Sequence, residues 1–118
     1  LTEKLVNTDT SMHKNFVKMC QKLRKELDEI LGPDSILLYP SHPTPAPYHG
    51  EPILRTFNFS YTGIFNVLGN PVTQVPLGLG TWGVPLGIQV VGQRNQDRNC
   101  LAMALELEKM FGGWMPPS

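Results

Sequence analysis

The chain has 118 residues, of which 41% are hydrophobic and 17% are charged, and ten basic side chains balance ten acidic ones. This neutrality argues against a nucleic-acid-binding protein or one that binds anionic membranes through a basic surface, and no apolar run approaches the roughly 20 residues needed to span a bilayer. The charged fraction lies below the roughly 25% usual for globular proteins, which predicts that other protein covers part of the surface. Because the chain opens at Leu1 rather than Met, we expect a fragment or processed product.

The first predicted helix covers residues 11–31. Thr10 or Ser11 suits its N-cap, and Gly32 followed by Pro33 indicates its end, because glycine accepts the left-handed conformation and proline cannot continue a helix. Lysines and glutamates on the opposite side predict a solvated face. The apolar stripe, at helical spacing, consists of Phe16, Met19, Cys20, Leu23, Leu27, Ile30 and Leu31.

The two cysteines, Cys20 and Cys100, each lie within a predicted helix. We interpret them as buried free thiols, with a disulfide as the open alternative. Free thiols favour a reducing, intracellular compartment. Two cysteines and three scattered histidines provide no zinc-ligand spacing, so we expect no metal and no cofactor.

Residues 35–39 form a short apolar run between turn residues, which predicts a buried strand in parallel pairing that is covered on both faces. Five prolines among residues 40–52 exclude a helix or central strand and predict a long loop. Ser41 beside His42 suggests a nucleophile and its base. However, adjacent residues of an extended segment point in different directions and no carboxylate orients the histidine, so we interpret both as loop residues.

Residues 60–68 predict a helix buried nearly all round, because few of its positions are polar. After a turn at Asn70–Pro71, residues 72–77 and 86–91 predict an antiparallel hairpin. Pairing Leu77 with Leu86 sets Val75 opposite Ile88 and Gln74 opposite Gln89. This register gives one aliphatic face and one face that carries both glutamine amides.

The stretch from Gly78 to Gly83 spells GxGxxG after a strand. In a dinucleotide-binding site, that motif opens a helix whose N-terminus meets the pyrophosphate. Here Val84–Pro85 leads into a second β run, so the glycines are predicted to form the hairpin connection. A final helix over residues 97–111, with Asp97 as its N-cap, completes an α/β chain that we treat as a single segment, residues 1–118.

The chain contains, in order, PSHPTPAP, FNFSYTGIFNVLGNPVTQVPLG and GVPLGIQVVG, followed by a closing helix and GGW. Together these motifs resemble the C-terminal segment of the amidase signature family, and within it the fatty-acid amide hydrolases of the second, membrane-associated type. The likeness covers essentially all residues from Lys22 onward. It implies part of one α/β domain with a mixed β-sheet surrounded by helices.

The resemblance also implies acyl transfer by a serine that a second serine and a lysine activate. Those residues come from a glycine- and serine-rich signature and from a lysine upstream of it, and this chain shows neither. We therefore assign no catalytic residue here and expect the chain alone to be inactive. The resemblance also implies a role in substrate contact, because the family segment that matches residues 56–65 forms part of the wall of the acyl channel. The candidate substrate-binding residues are Thr56, Phe59, Gly63 and Ile64.

The implied partners are the remainder of the amidase chain and, in the intact enzyme, a fatty-acid amide; homodimerisation is a further alternative, and nucleic acid is not expected. The resemblance implies a membrane-associated parent protein. Ordinary core packing is the competing interpretation of Phe59 and Ile64. For the whole chain the alternatives are a non-catalytic binding or assembly module of α/β type, and a small α/β protein of unrelated function.

Overall fold

The structure, a computed structural model, describes residues 11–116. Its elements are α1 (Ser11–Leu31), β1 (Ile36–Pro40), α2 (Glu51–Leu54), a 3-10 turn (Thr56–Phe59), α3 (Ser60–Leu68), β2 (Val72–Leu79), β3 (Pro85–Gly92) and α4 (Asp97–Phe111).

The three longer helices have the predicted bounds, and the α/β class is confirmed. Glycine ends all three, as predicted for Gly32. Gly32, Gly69 and Gly112 take φ of 58°, 75° and 82°, and their amides donate to the carbonyls of Asp28, Phe65 and Glu108. The candidate N-cap Thr10 lies outside the described residues. Asp97 is not the N-cap of α4, because that position belongs to Gln96 and Asp97 lies in the first turn. There its carboxylate still complements the partial positive charge of the helix N-terminus.

The three strands form a sheet in the order β1-β3-β2, and both pairings are antiparallel. The prediction that residues 35–39 pair in parallel and are covered on both faces is therefore wrong. Leu38 in the middle of β1 is exposed. A short apolar run does not distinguish a doubly covered parallel strand from an antiparallel one that is covered on one face.

The β2–β3 register is confirmed where Val75 pairs with Ile88 and Gln74 with Gln89. The predicted pairing of Leu77 with Leu86 is wrong, because Leu86 pairs with Gly78 and Leu77 is the extra residue of an irregularity between Pro76 and Gly78. A proline has no N–H to give to a ladder, and glycine accepts the φ of 98° found at Gly78. Residues 80–84 make the connection, as predicted for the glycine-rich motif.

One face of the sheet packs against α4 and forms the core. Val75, Val90, Cys100 and Leu107 are buried there, and Ile36, Ile88 and Ala104 pack against them. Burial raises the pKa of the Cys100 thiol above its ordinary value, and the nearby Asp97 carboxylate adds to the increase. Both cysteines are free, as predicted; Cys100 is buried and Cys20 is half-buried.

The other face of the sheet carries Tyr39, Gln89 and Gln74 side by side across β1, β3 and β2. Helix α3 lies over it: the Tyr39 ring is 5.7 Å from the ring of Tyr61 and 5.3 Å from that of Phe65, measured between centroids. The prediction that α3 is buried nearly all round is wrong, because only Phe65 and Leu68 are buried. Its outer face, including Val67, is exposed.

Helix α1 packs beside α3 and makes polar contacts with α3 and with the segment that follows β3. Arg24 Nη2 donates to the Val67 carbonyl over 3.0 Å, and Arg94 Nη2 lies 2.6 Å from Asp28 Oδ2. Of its predicted apolar stripe, only Leu31 is buried, whereas Phe16 and Ile30 are exposed. The described part of the chain thus leaves a long apolar face uncovered.

Candidate acyl-binding segment

The four candidate substrate-binding residues lie on one continuous segment, because the 3-10 turn leads directly into α3. Phe59, the last residue of the turn, already has helical angles, with φ −62° and ψ −16°. Thr56 Oγ1 donates to the Ile53 carbonyl over 2.9 Å, and Thr62 Oγ1 donates to the Phe59 carbonyl over 3.0 Å. The Thr56 bond satisfies a carbonyl at the end of α2, where backbone acceptors have no partner within the helix. The two threonine hydroxyl groups thus add local hydrogen bonds to the segment.

The structure brings Phe59 and Gly63 into contact. A Cβ placed on Gly63 would lie 3.1 Å from the Phe59 ring, so the ring covers the bare backbone of the next helical turn. Residues four apart share a helix face, and a glycine there lets a ring lie close to the helix. The pair forms a shallow apolar surface in which an exposed aromatic ring lies over a half-buried glycine.

The other two candidates differ in what they offer. Ile64 is 38% exposed and follows Gly63, so its side chain lies about 100° further around the helix. The hydroxyl of Thr56 is committed to Ile53 and leaves its methyl group as apolar surface. The Phe59 side chain is 63% exposed. The ordinary-core interpretation of Phe59 and Ile64 therefore does not describe the chain as it stands, because neither is buried.

Sequence reasoning missed the residues that hold this segment against the sheet. The Gln89 amide donates to the carbonyls of Pro40 and Tyr61, each over 3.0 Å, and the Tyr39 ring contacts Tyr61. The signal was present in the predicted register, which set both glutamine amides on one face. It did not show which backbone those amides would reach.

Ser41 and His42 are loop residues in the structure, as predicted. Ser41 Oγ donates to Gln74 Oε1, and His42 Nδ1 lies 2.9 Å from the Thr44 carbonyl oxygen. The two side chains therefore engage different partners and do not form a nucleophile–base pair. They line a cleft of about 420 Å³ between the proline-rich loop and the hairpin.

Residues 11–116 show neither a metal-binding cluster nor a membrane-spanning helix. Within that range, no group of three or more histidine, cysteine or acidic side chains is arranged to hold a metal ion. No helix described there combines the length and apolar character that crossing a membrane requires.

The profile of the amidase family matches residues 2–101, and the chain belongs to that family. It is 57% identical over 115 residues to fatty-acid amide hydrolase 2-A of Danio rerio. The matched residues cover 96% of this chain and 22% of the relative. It is 51% identical over 117 residues to human fatty-acid amide hydrolase 2, covering 99% of this chain and 22% of the relative.

More distant relatives share the same segment. One component of the glutamyl-tRNA(Gln) amidotransferase of Wolinella succinogenes is 31% identical over 98 residues, covering 80% of this chain and 22% of that protein. The chain thus spans about a fifth of the length of the curated relatives it matches. The predicted resemblance to the fatty-acid amide hydrolases is confirmed by the level of identity.

Proposed function

We propose that this chain is the C-terminal segment of a serine amidase that hydrolyses fatty-acid amides. It contributes part of the sheet core and one wall of the acyl-binding channel, and further chain supplies the Ser-Ser-Lys catalytic group. The identity of more than half to the zebrafish fatty-acid amide hydrolase, over nearly the whole chain, supports the substrate class. In the structure, the proposal depends chiefly on the exposed Phe59 ring packed over Gly63.

The physical argument for an acyl-binding wall is that this segment exposes apolar side chains, which are more stable against another apolar group than against water. Burying a methylene group stabilises a complex by about 0.8 kcal/mol, so a long acyl chain gains much from an apolar concave surface. In this proposal Phe59, Gly63, Ile64 and the methyl group of Thr56 supply one apolar, uncharged side of such a surface. A carboxylate or lysine in this position would favour a polar substrate instead.

The partner in this proposal is the remainder of the amidase chain. Phe16, Met19 and Ile30 of α1 and Val67 of α3 are exposed on neighbouring helices. Extended apolar surface of this kind marks a contact with another protein surface or a membrane. Because the relatives are about five times longer than the matched segment, we assign that face to more of the same chain, and a second copy of this chain is the competing occupant.

The location of the parent protein is also part of the proposal. We expect it to be intracellular and membrane-associated, as the resemblance to the second type of fatty-acid amide hydrolase implies. Cell fractionation of the full-length protein with and without a high-salt wash would test the association. Recovery in the soluble fraction before any wash would contradict it.

The decisive experiment is a chimera. The matched segment of zebrafish fatty-acid amide hydrolase 2-A is replaced by this chain, and hydrolysis of oleamide is measured beside the unaltered zebrafish enzyme. We expect kcat/KM within about ten-fold of the parent enzyme, because the chimera keeps the parent's catalytic group. A folded chimera without hydrolysis would overturn the proposal. The isolated 118-residue chain is the matched control, and measurable hydrolysis by it would contradict the assignment of the nucleophile to other chain.

A further inference from the structure

Gln89 stands out as a polar side chain buried to 3% exposure in a sheet strand. Its Nε2 donates one hydrogen bond to the carbonyl of Pro40 and one to the carbonyl of Tyr61, each over 3.0 Å. Both N–H groups of the amide are therefore used. A buried carboxamide is stable only when it is paired, so these two bonds fix where the amide and its acceptors lie.

The two acceptors belong to elements that are distant along the chain. Pro40 ends β1, and Tyr61 lies in the first turn of α3, 28 residues before Gln89 in sequence. The amide therefore connects the centre of the sheet to the start of the helix. Tyr39, the neighbour of Gln89 across the strands, adds a ring contact of 5.7 Å to Tyr61.

The position of Tyr61 gives this link its functional meaning. Phe59 lies two residues before it and Gly63 two residues after it, so Tyr61 is the centre of the segment assigned to the acyl chain. Of these two residues, Phe59 is exposed and Gly63 is half-buried beneath its ring. Moving the Tyr61 carbonyl would shift the Phe59 ring and the Gly63 backbone together.

The register partner of Gln89 does not duplicate this role. Gln74 lies directly opposite on β2, but its Oε1 accepts a hydrogen bond from Ser41. Its amide nitrogen lies over Gly87, where a Cβ would clash with it. Gln74 thus holds the proline-rich loop, whereas Gln89 holds α3.

We propose that Gln89 is a positioning residue that sets the acyl-chain-length preference of the enzyme by fixing α3, and thereby Phe59 and Gly63, against the sheet; this inference rests on the proposed function. The side chain does not contact substrate in this proposal. Its effect should therefore grow with the length of acyl chain that reaches the wall, and it should affect binding more than the chemical step.

The test uses the zebrafish chimera with Gln89→Met, which keeps the side-chain volume but cannot donate, and Gln89→Asn, which keeps the amide but is one methylene shorter. Kinetic constants are measured for two primary amides, oleamide and octanamide. Gln21→Met is the matched control, because Gln21 is an exposed glutamine on α1. Thermal unfolding of each variant is recorded in parallel.

We expect Gln89→Met to raise the KM for oleamide about ten-fold, the effect of losing contact with about two methylene groups. The kcat for oleamide, and both kcat and KM for octanamide, should stay within about two-fold of the values for the unsubstituted chimera. A higher KM with an unchanged kcat indicates the loss of binding energy that the ground state and the transition state share. Gln89→Asn should show a smaller change of the same kind, and Gln21→Met none.

Other outcomes would overturn the inference. An unchanged ratio between the two substrates, or a parallel loss of both through unfolding, would show that Gln89 serves only the stability of the sheet. A fall in kcat alone would place its effect on the chemical step. If the unsubstituted chimera hydrolyses neither amide, both the proposed function and this inference are refuted. If the unsubstituted chimera is active and only the Gln89 variants depart from the expected result, this inference alone is refuted.

Discussion

The Sγ of Cys100 occupies the space that a side chain on Gly92 would need: a Cβ there would lie 2.7 Å from the sulfur and 3.3 Å from the Gln96 carbonyl oxygen. Gly92 ends β3, and its amide donates to the Pro71 carbonyl over 3.1 Å. Strand β3 and helix α4 therefore pack more closely at Gly92 than a residue larger than glycine would allow.

Gly92→Ala should destabilise the folded chain by about 1–3 kcal/mol, the usual cost of forcing a methyl group into a filled interior. Thermal unfolding of the zebrafish chimera measures the change. Cys100→Ala in the same protein removes the sulfur, so the double variant should recover part of the loss. Gly80→Ala is the control, because its nearest contact would be an ordinary 3.4 Å. An equal loss at both glycines would contradict the explanation.

The buried thiol should also make stability depend on pH. Burial, and then the Asp97 carboxylate, raise the pKa of Cys100 above its ordinary value of 9.0. Above that pH the unfolded chain has lost the thiol proton while the folded chain keeps it, so the unfolded state binds fewer protons and stability falls as pH rises. We expect Cys100→Ala to remove this part of the alkaline loss. If the unfolding free energy falls equally steeply with pH in the parent protein and in Cys100→Ala between about pH 8 and pH 10, this explanation is refuted.

Thiol labelling provides an independent measurement. At neutral pH, iodoacetamide should modify the half-buried Cys20 before Cys100, because Cys100 is buried and its raised pKa leaves little thiolate. Peptide mapping by mass spectrometry would give the order, and labelling in denaturant is the control. Faster labelling of Cys100 in the folded protein would contradict the packing described for α4.

How much the sequence predicts depends on the range of the interaction. The ends of α3 and α4 follow from Gly69 and Gly112, because a local backbone conformation stops each helix. The pairing of Gln74 with Gln89 follows from alternation along two neighbouring strands. The contact between Gln89 and Tyr61 joins residues 28 apart, and no pattern along one element specifies it.

The errors have the same origin. The extra residue at Leu77 follows Pro76, which pairs with Gly87 but has no N–H to donate to the ladder. A register counted from the sequence does not include such an extra residue. The exposed outer face of α3 was predicted to be buried because its composition is apolar. Composition shows that a surface is meant to be covered, but it does not show which protein segment covers it. The same holds for α1, whose apolar stripe is largely exposed.

The ion pair between Arg94 and Asp28 should contribute measurably to the docking of α1. Arg94 Nε and Nη2 lie 3.1 Å and 2.6 Å from Asp28 Oδ2, and Asp28 is largely shielded, with its side chain 17% exposed. Arg94→Met should lower stability by about 1 kcal/mol, near the upper end for partly exposed pairs. Lys22→Met breaks the exposed pair with Glu26, at 3.7 Å, and should have almost no effect. Equal shifts in melting temperature would contradict this ranking.

The contact between Phe59 and Gly63 provides a test that separates binding from stability. Gly63 has an ordinary helical φ, so Gly63→Ala should gain up to about 1 kcal/mol in helix propensity, while the new methyl group, 3.1 Å from the ring, displaces Phe59. In the zebrafish chimera we therefore expect an unchanged or higher melting temperature together with a higher KM for oleamide. Phe59→Ala should raise that KM further, whereas Phe57→Ala, which removes a neighbouring exposed ring, should not. If all three variants alter KM equally, the acyl chain does not run along this turn of α3.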